Sequence, residues 1–124
     1  MHNKLVLSIG SNSKDREWQM ENGIKWLKSL LHNVTVSPVY NTPAANGRDS
    51  DYLNAVIKAK TSEDFNTLND ILKKYEAVCG RTPISKQVGE IPMDLDIVIW
   101  NEKIVRERDF QQEYFQKGWN LLEK

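Results

Sequence analysis

Leu5, Leu7 and Ile9 alternate with Val6 and Ser8 before Gly10-Ser11-Asn12 breaks the run. This period of two predicts a strand that leaves the core into a turn. Met20, Ile24, Leu27 and Leu31 then recur every three to four residues, the apolar stripe of an amphipathic helix. Asn12 or Ser13 is its expected cap, Asp15 and Glu17 fall in its first turn, and Lys25 and Lys28 lie on its polar face. Val34, Val36 and Pro38 alternate with Thr35 and Ser37 through Val39-Tyr40, which predicts one second strand ending at Thr42-Pro43. Residues 43–50 read as a loop. Tyr52 to Lys60 alternates again and predicts a half-buried third strand, with Leu53, Ala55, Ile57 and Ala59 on one face and Tyr52, Asn54, Val56 and Lys58 on the other.

Thr61-Ser62-Glu63-Asp64 is a helix start, after which Phe65, Leu68, Ile71 or Leu72, Tyr75 and Val78 or Cys79 repeat at helical spacing until Gly80. Residues 81–92 hold Pro83, Gly89 and Pro92 without any period, and predict a long irregular loop of the kind that often carries function. Met93 to Trp100 predicts a fourth strand, with Met93, Leu95, Ile97 and Ile99 inward. In the tail, Phe110, Tyr114 or Phe115, Trp119 and Leu122 share a helical face that Gly118 interrupts. The order β-α-β-β-α-β with a C-terminal tail helix predicts one domain over residues 1–124. Its class is α+β, a ferredoxin-like sandwich whose antiparallel sheet carries two helices on one face.

Composition narrows the function classes. The 124 residues include 17 basic and 17 acidic side chains, a formal net charge of zero. A protein that grips nucleic acid mainly through phosphates needs a basic footprint, so no nucleic-acid partner is expected. The run Ile97-Val98-Ile99-Trp100 is far short of the roughly 20 apolar residues that span a bilayer, so a soluble, cytoplasmic chain without a membrane partner is expected. A single cysteine, Cys79, excludes a disulfide framework and reads as a buried small hydrophobe. The two histidines, His2 at the terminus and His32 at the end of the first predicted helix, support no nucleophilic triad.

The sharpest chemistry lies in Met93-Asp94-Leu95-Asp96-Ile97. On a strand, Asp94 and Asp96 project from the same face, and adjacent carboxylates need something positive to stay ionised. A hard divalent cation such as Mg²⁺ would do this and leave positions open for phosphate oxygens; neighbouring Lys or Arg side chains would do it too. Arg81 and Lys86, in the preceding loop, are cations within reach of a phosphate chain at the pair. Tyr52 and Asn54 share a strand face on which a flat ring can stack and pair with an amide.

Five segments, Ser8-Ile9-Gly10-Ser11-Asn12, Tyr40-Asn41-Thr42-Pro43, Asp51-Tyr52-Leu53-Asn54-Ala55, Glu76 with Gly80-Arg81, and Asp94-Leu95-Asp96-Ile97, together resemble 6-hydroxymethyl-7,8-dihydropterin pyrophosphokinases of folate synthesis, in order and near spacing. The resemblance spans residues 4 to about 108. It implies ATP as cosubstrate, two Mg²⁺ ions, and transfer of diphosphate to the pterin hydroxymethyl oxygen with release of AMP. Asp94 and Asp96 match the metal pair and, with Arg81, the catalytic set. Asn54 matches the residue that pairs with the pterin, Tyr52 one wall of its slot, Thr42, Pro43 and Ala45 its rim, and Trp119 the opposite wall. Glu76, Arg81, Lys86, Ile97, Arg108 and Lys117 match or neighbour the ATP contacts, and a monomer is expected.

Where family members carry Arg-x-Arg followed by Arg-Trp-Gly-Pro-Arg, this chain reads Arg81-Thr82-Pro83 and Gln87-Val88-Gly89-Glu90-Ile91. Where they carry Val-Pro-His, it reads Gln111-Gln112-Glu113. The alternative expectation is therefore a non-catalytic pterin-binding homologue without the phosphate-clamping arginines.

Overall fold

The structure is a computed structural model that describes residues 3–44 and 46–122. Strand β1 (Asn3–Ser11) lies at the middle of the sheet, antiparallel to β4 (Tyr52–Thr61) on one side and to β5 (Asp94–Trp100) on the other. The outer edge of β4 takes two short strands in succession, β2 (His32–Val36) and β3 (Tyr40–Thr42). On the far side a two-residue strand, β6 (Lys103–Ile104), closes the order β2-β4-β1-β5-β6. Helices α1 (Arg16–Leu30) and α2 (Phe65–Val78) cover one face of the sheet. The ferredoxin-like α+β sandwich expected from the pattern is the fold observed.

The inward stripes of α1 and α2, represented by Met20, Leu27, Leu68 and Leu72, pack on Leu5, Leu7, Ile9, Ala55, Ile57, Leu95 and Ile97 to form the main core. Fully burying each of these larger aliphatic side chains contributes about 1.5–3 kcal/mol. Asp64 caps α2, its carboxylate accepting the Thr67 N–H at 2.8 Å. The opposite sheet face is also covered. Helix α5 (Glu113–Leu122), preceded by the single turn α4 (Glu107–Phe110), lays Phe115 over Val6, Val56, Val98 and Ile99 as a second core.

Several local expectations are corrected. The predicted strand from Val34 to Thr42 is two strands, because Ser37 leaves the extended run: its hydroxyl accepts the Val56 N–H while its own N–H reaches the Val56 carbonyl. Strand β4 is buried on both faces over Asn54–Ile57 rather than half buried, since α5 shelters Val56. A register shift between β1 and β5 leaves Val98 without a partner on β1 and turns Ile99 away from the main core, opposite Val6. Residues 81–92 contain one short helix, α3 (Ser85–Val88). Gly118 does not interrupt α5. A Cβ there would stand 2.5 Å from Val56 Cγ2 and 2.6 Å from the Tyr40 hydroxyl, so glycine is what lets the helix lie close to the sheet.

The N-cap of α1 is Asp15, without a side-chain cap bond, and Asn12 and Ser13 bond elsewhere. His32 opens β2, and Cys79 is only half buried at the end of α2. His2 lies outside the described residues. Among the described residues no helix is long and apolar enough to cross a membrane.

Candidate active site

Beside the N-terminal end of α5, the outer face of the sheet opens into a cavity of about 600 Å³, within the usual range for small-molecule sites. Register sets its floor. Gly10 of β1 pairs with Asn54 of β4 on one side and with Asp94 of β5 on the other. Strands lie about 4.8 Å apart, so the Asn54 and Asp94 backbones are roughly 10 Å apart across the bare glycine. A Cβ at Gly10 would come within 2.8 Å of Asn54 Oδ1. Asn54 is buried, and its Nδ2 donates to Thr42 Oγ1 of the neighbouring strand at 2.5 Å, which turns Oδ1 into a fixed acceptor. Tyr52, half buried, lines the same space; burial first and the Asp94 charge second raise the pKa of its hydroxyl.

The other half of the site is ionic. Lys73 Nζ donates to Asp96 Oδ1 at 3.1 Å, to Glu76 Oε2 at 3.0 Å and to the Leu95 carbonyl at 2.6 Å. Arg81 reaches Asp94 Oδ1 at 3.1 Å and Glu76 Oε1 at 3.4 Å, and donates to the Met93 carbonyl. Arg106 Nε lies 3.9 Å from Asp96 and pairs closely with Asp109. The two neighbouring carboxylates separate in acidity. Loss of solvent, then the adjacent Asp96, push Asp94 up to about 7. Burial acts the same way on Asp96, but Lys73 and Arg106 outweigh it and hold Asp96 below its ordinary value. Glu76, buried on α2, accepts the Leu95 N–H at 2.7 Å and so ties the helix to the strand that bears both aspartates.

Two further residues fix the walls. Asn12 joins three segments: Oδ1 accepts the Ile91 N–H at 2.6 Å, and Nδ2 donates to the Gly89 carbonyl at 2.9 Å and the Ser50 carbonyl at 3.3 Å. It thus pins the loops on both sides of the cavity to the end of β1. Tyr40 anchors α5, its hydroxyl donating to the Tyr114 carbonyl and accepting the Gly118 N–H. Burial, only partly offset by that Gly118 bond, pushes the Tyr40 hydroxyl up to about 12.

Of the residues singled out from the sequence, Thr42, Pro43, Tyr52, Asn54, Lys86 and Asp94 line this one cavity. Arg81 adjoins it through its ion pair with Asp94, Glu76 through Arg81, and Asp96 as the neighbouring carboxyl of Asp94. Ala45 lies outside the described residues. Ile97 is fully buried in the main core, and Arg108 is exposed on α4. Lys117 sits 5.5 Å above the Tyr40 ring. Trp119 is not opposite Tyr52. It stacks on Phe115, with ring centroids 6.0 Å apart, and lines a second cavity of about 620 Å³ with Lys4, Lys58 and Lys60. The aromatic side chain from the tail that does line the first cavity is Tyr114, whose hydroxyl bonds Asp109.

Lys73, Arg106, Asn12 and Tyr114 are not among the site residues expected from the sequence. Lys73 had one legible signal, its position three residues before Glu76 on the same helix face. The contact of Arg106 with Asp96 and those of Asn12 span loops and carry no local signal.

The model of the family described as 7,8-dihydro-6-hydroxymethylpterin-pyrophosphokinase (HPPK) matches residues 6–123. The chain belongs to this pyrophosphokinase family. A folate synthesis bifunctional protein of Arabidopsis thaliana is 30% identical to it over 108 residues. That match takes in 85% of the chain but 22% of the relative, so the chain spans about a fifth of the length of the protein it resembles. The five segments quoted from the sequence fall within the region matched by the pyrophosphokinase model.

Proposed function

We propose that the chain transfers diphosphate from ATP to the hydroxymethyl oxygen of 6-hydroxymethyl-7,8-dihydropterin, releasing AMP. The observation that carries this reading is the register about Gly10, with an oriented amide on one side and the aspartate pair on the other. The pterin ring would lie on Tyr52 with its N–H edge on Asn54 Oδ1, Thr42 holding the amide in that orientation. Tyr114 is the aromatic residue available from the tail, and Pro43 and Ala44 form part of the rim. The hydroxymethyl group would then face Asp94. A bond forms from its oxygen to the β-phosphorus, the bond to the α-phosphate oxygen breaks, and the hydroxyl proton is released.

Mg²⁺ suits the donor set. Asp94 and Asp96 supply hard carboxylate oxygens on one strand face, and among the described residues no group of three His, Cys, Asp or Glu is placed to hold a metal ion by itself. Such a pair leaves the remaining positions to water and phosphate oxygens, which Mg²⁺ favours. Two bound ions would neutralise the phosphate charge that shifts as AMP leaves. Arg81 would add its guanidinium to the same charge, and Lys86, exposed on α3, would meet the outer phosphates. With so little covalent work for the protein, positioning and charge stabilisation carry most of the rate.

One observation favours a second reading, a pterin-binding homologue without turnover. The described residues lining the cavity include Asp49, Asp94 and Glu113 against the single cation Lys86. A triphosphate therefore depends on its own metal ions to enter. Purified chain with Mg²⁺, ATP and the hydroxymethyl dihydropterin should release AMP in proportion to pterin consumed. Pterin binding by calorimetry without AMP above background would instead establish the second reading. Absence of binding by either substrate removes both.

A further inference from the structure

Lys73 has no role in the reaction described above, yet its ammonium holds three acceptors of the site. An ammonium has three N–H donors, and here all three are engaged, on Asp96 Oδ1, Glu76 Oε2 and the Leu95 carbonyl. The side chain crosses from α2 to β5 and stays partly exposed, at 41%. Around it, the acids Glu76, Asp94, Asp96 and Asp109 meet the bases Lys73, Arg81 and Arg106, so that each carboxylate has a cation partner without any added ion. A divalent cation approaching Asp96 meets an occupied oxygen and a like charge 3.1 Å from it.

Resting on the reading that Asp94 and Asp96 hold the metal, we propose that Lys73 is a positioning residue that closes Asp96 to a bare divalent cation. It releases the carboxylate when a nucleotide phosphate offers the ammonium another acceptor. The exchange conserves charge. The cation replaces the ammonium at Asp96, and a phosphate oxygen replaces Asp96 at the ammonium, while Glu76 and the Leu95 carbonyl keep Lys73 at the rim. Metal and nucleotide therefore enter together, each raising the affinity of the other by the same factor. The aspartate pair stays ordered, and free of unproductive metal, in the empty protein.

The test uses Mn²⁺ as the probe, titrated into the full chain without nucleotide and followed by water-proton relaxation. Removing one positive charge this close should raise Mn²⁺ affinity about tenfold or more in Lys73→Gln and Lys73→Met. Lys73→Arg, which keeps the charge, should stay near the parent value. The factor by which a non-hydrolysable ATP analogue tightens Mn²⁺ binding should shrink in the Gln and Met variants alone. A lysine serving only the fold would not raise metal affinity when lost, and circular dichroism verifies that the variants fold. Unchanged or weaker Mn²⁺ binding by folded Gln and Met variants overturns the proposal. The metal reading itself is tested by Asp96→Asn with the analogue present. Lost Mn²⁺ binding supports that reading, whereas parent-like binding removes it and the role of Lys73 with it.

Discussion

Asn54 and Thr42 meet across one antiparallel strand pair through a single neutral hydrogen bond. Asp96, two strands away, is held by a lysine from α2 and an arginine from the segment before α4. The neutral half of the cavity follows from sheet register and is complete before any ligand arrives. The ionic half is assembled from separate elements and its carboxylates already have cation partners, so under the proposed function a metal or phosphate would have to exchange partners to enter. A neutral buried pair costs little to keep, whereas a buried carboxylate without a cation costs several kcal/mol. The ion pairs within the cluster answer that cost. It also makes the ionic half sensitive to pH and salt in a way that the neutral half is not.

The largest expected separation of the two halves comes from Asp96→Asn. AMP release should fall by about 10²–10³, while pterin affinity by calorimetry stays within about twofold of the parent, since Asn54 and Thr42 are untouched. A collapse of pterin binding in that variant would break the division. The reciprocal change, Asn54→Ala, removes the amide and leaves Thr42 without its donor. It should weaken pterin binding by about 1–3 kcal/mol with no effect on Mn²⁺ affinity in the presence of nucleotide.

Acidity sharpens the contrast. Because the Asp94 carboxyl is raised from 3.8 to about 7, a proton would compete across that interval with the metal ion proposed for this site. Metal affinity should climb with pH until about 7, by at most about tenfold per unit for one displaced proton, while pterin affinity changes far less over the same range. The same shift has a stability sign. Between 3.8 and about 7 the folded chain binds a proton that the unfolded chain has lost, so Asp94 destabilises the metal-free fold progressively as pH rises through that window. Asp96, held low, works in the opposite sense: its contribution is present above the ordinary aspartate range and is lost as pH falls below it. Thermal melts without metal across this window, compared with Asp94→Asn, separate the two. The smallest effect is expected from Lys86→Ala. An exposed, salt-screened cation on the rim should change ATP affinity by about two- to fivefold, less at high salt, and leave pterin binding unchanged.

Much of the site's neutral half was legible in the chain. Tyr52 and Asn54 share a face because strand period is two, and Thr42 adjoins Asn54 because the segments that contain them pair. The tail was harder to place. Its apolar stripe predicts a helix but not the phase in which it settles, and the structure turns Trp119 toward Phe115 and the second cavity while Tyr114 reaches the first. Asn12 has the residue type and position of a helix cap. Its side chain instead bonds Gly89 and Ile91, more than 70 residues away, where unpaired loop backbone offers better partners.

The sequence by itself determined the order and facing of the elements: four main strands and two helices from their periods, and two aspartates on one strand face. Those follow from backbone geometry, which every short stretch carries within itself. Only the tertiary structure decided what faces the aspartates. Lys73 is 23 residues before Asp96, and Arg106 is ten after it beyond a hairpin. Their convergence depends on how α2 seats on β5 and where the chain turns after β6. No local pattern encodes those distances, because they come from packing whole elements together, and packing is where this site acquires its cations.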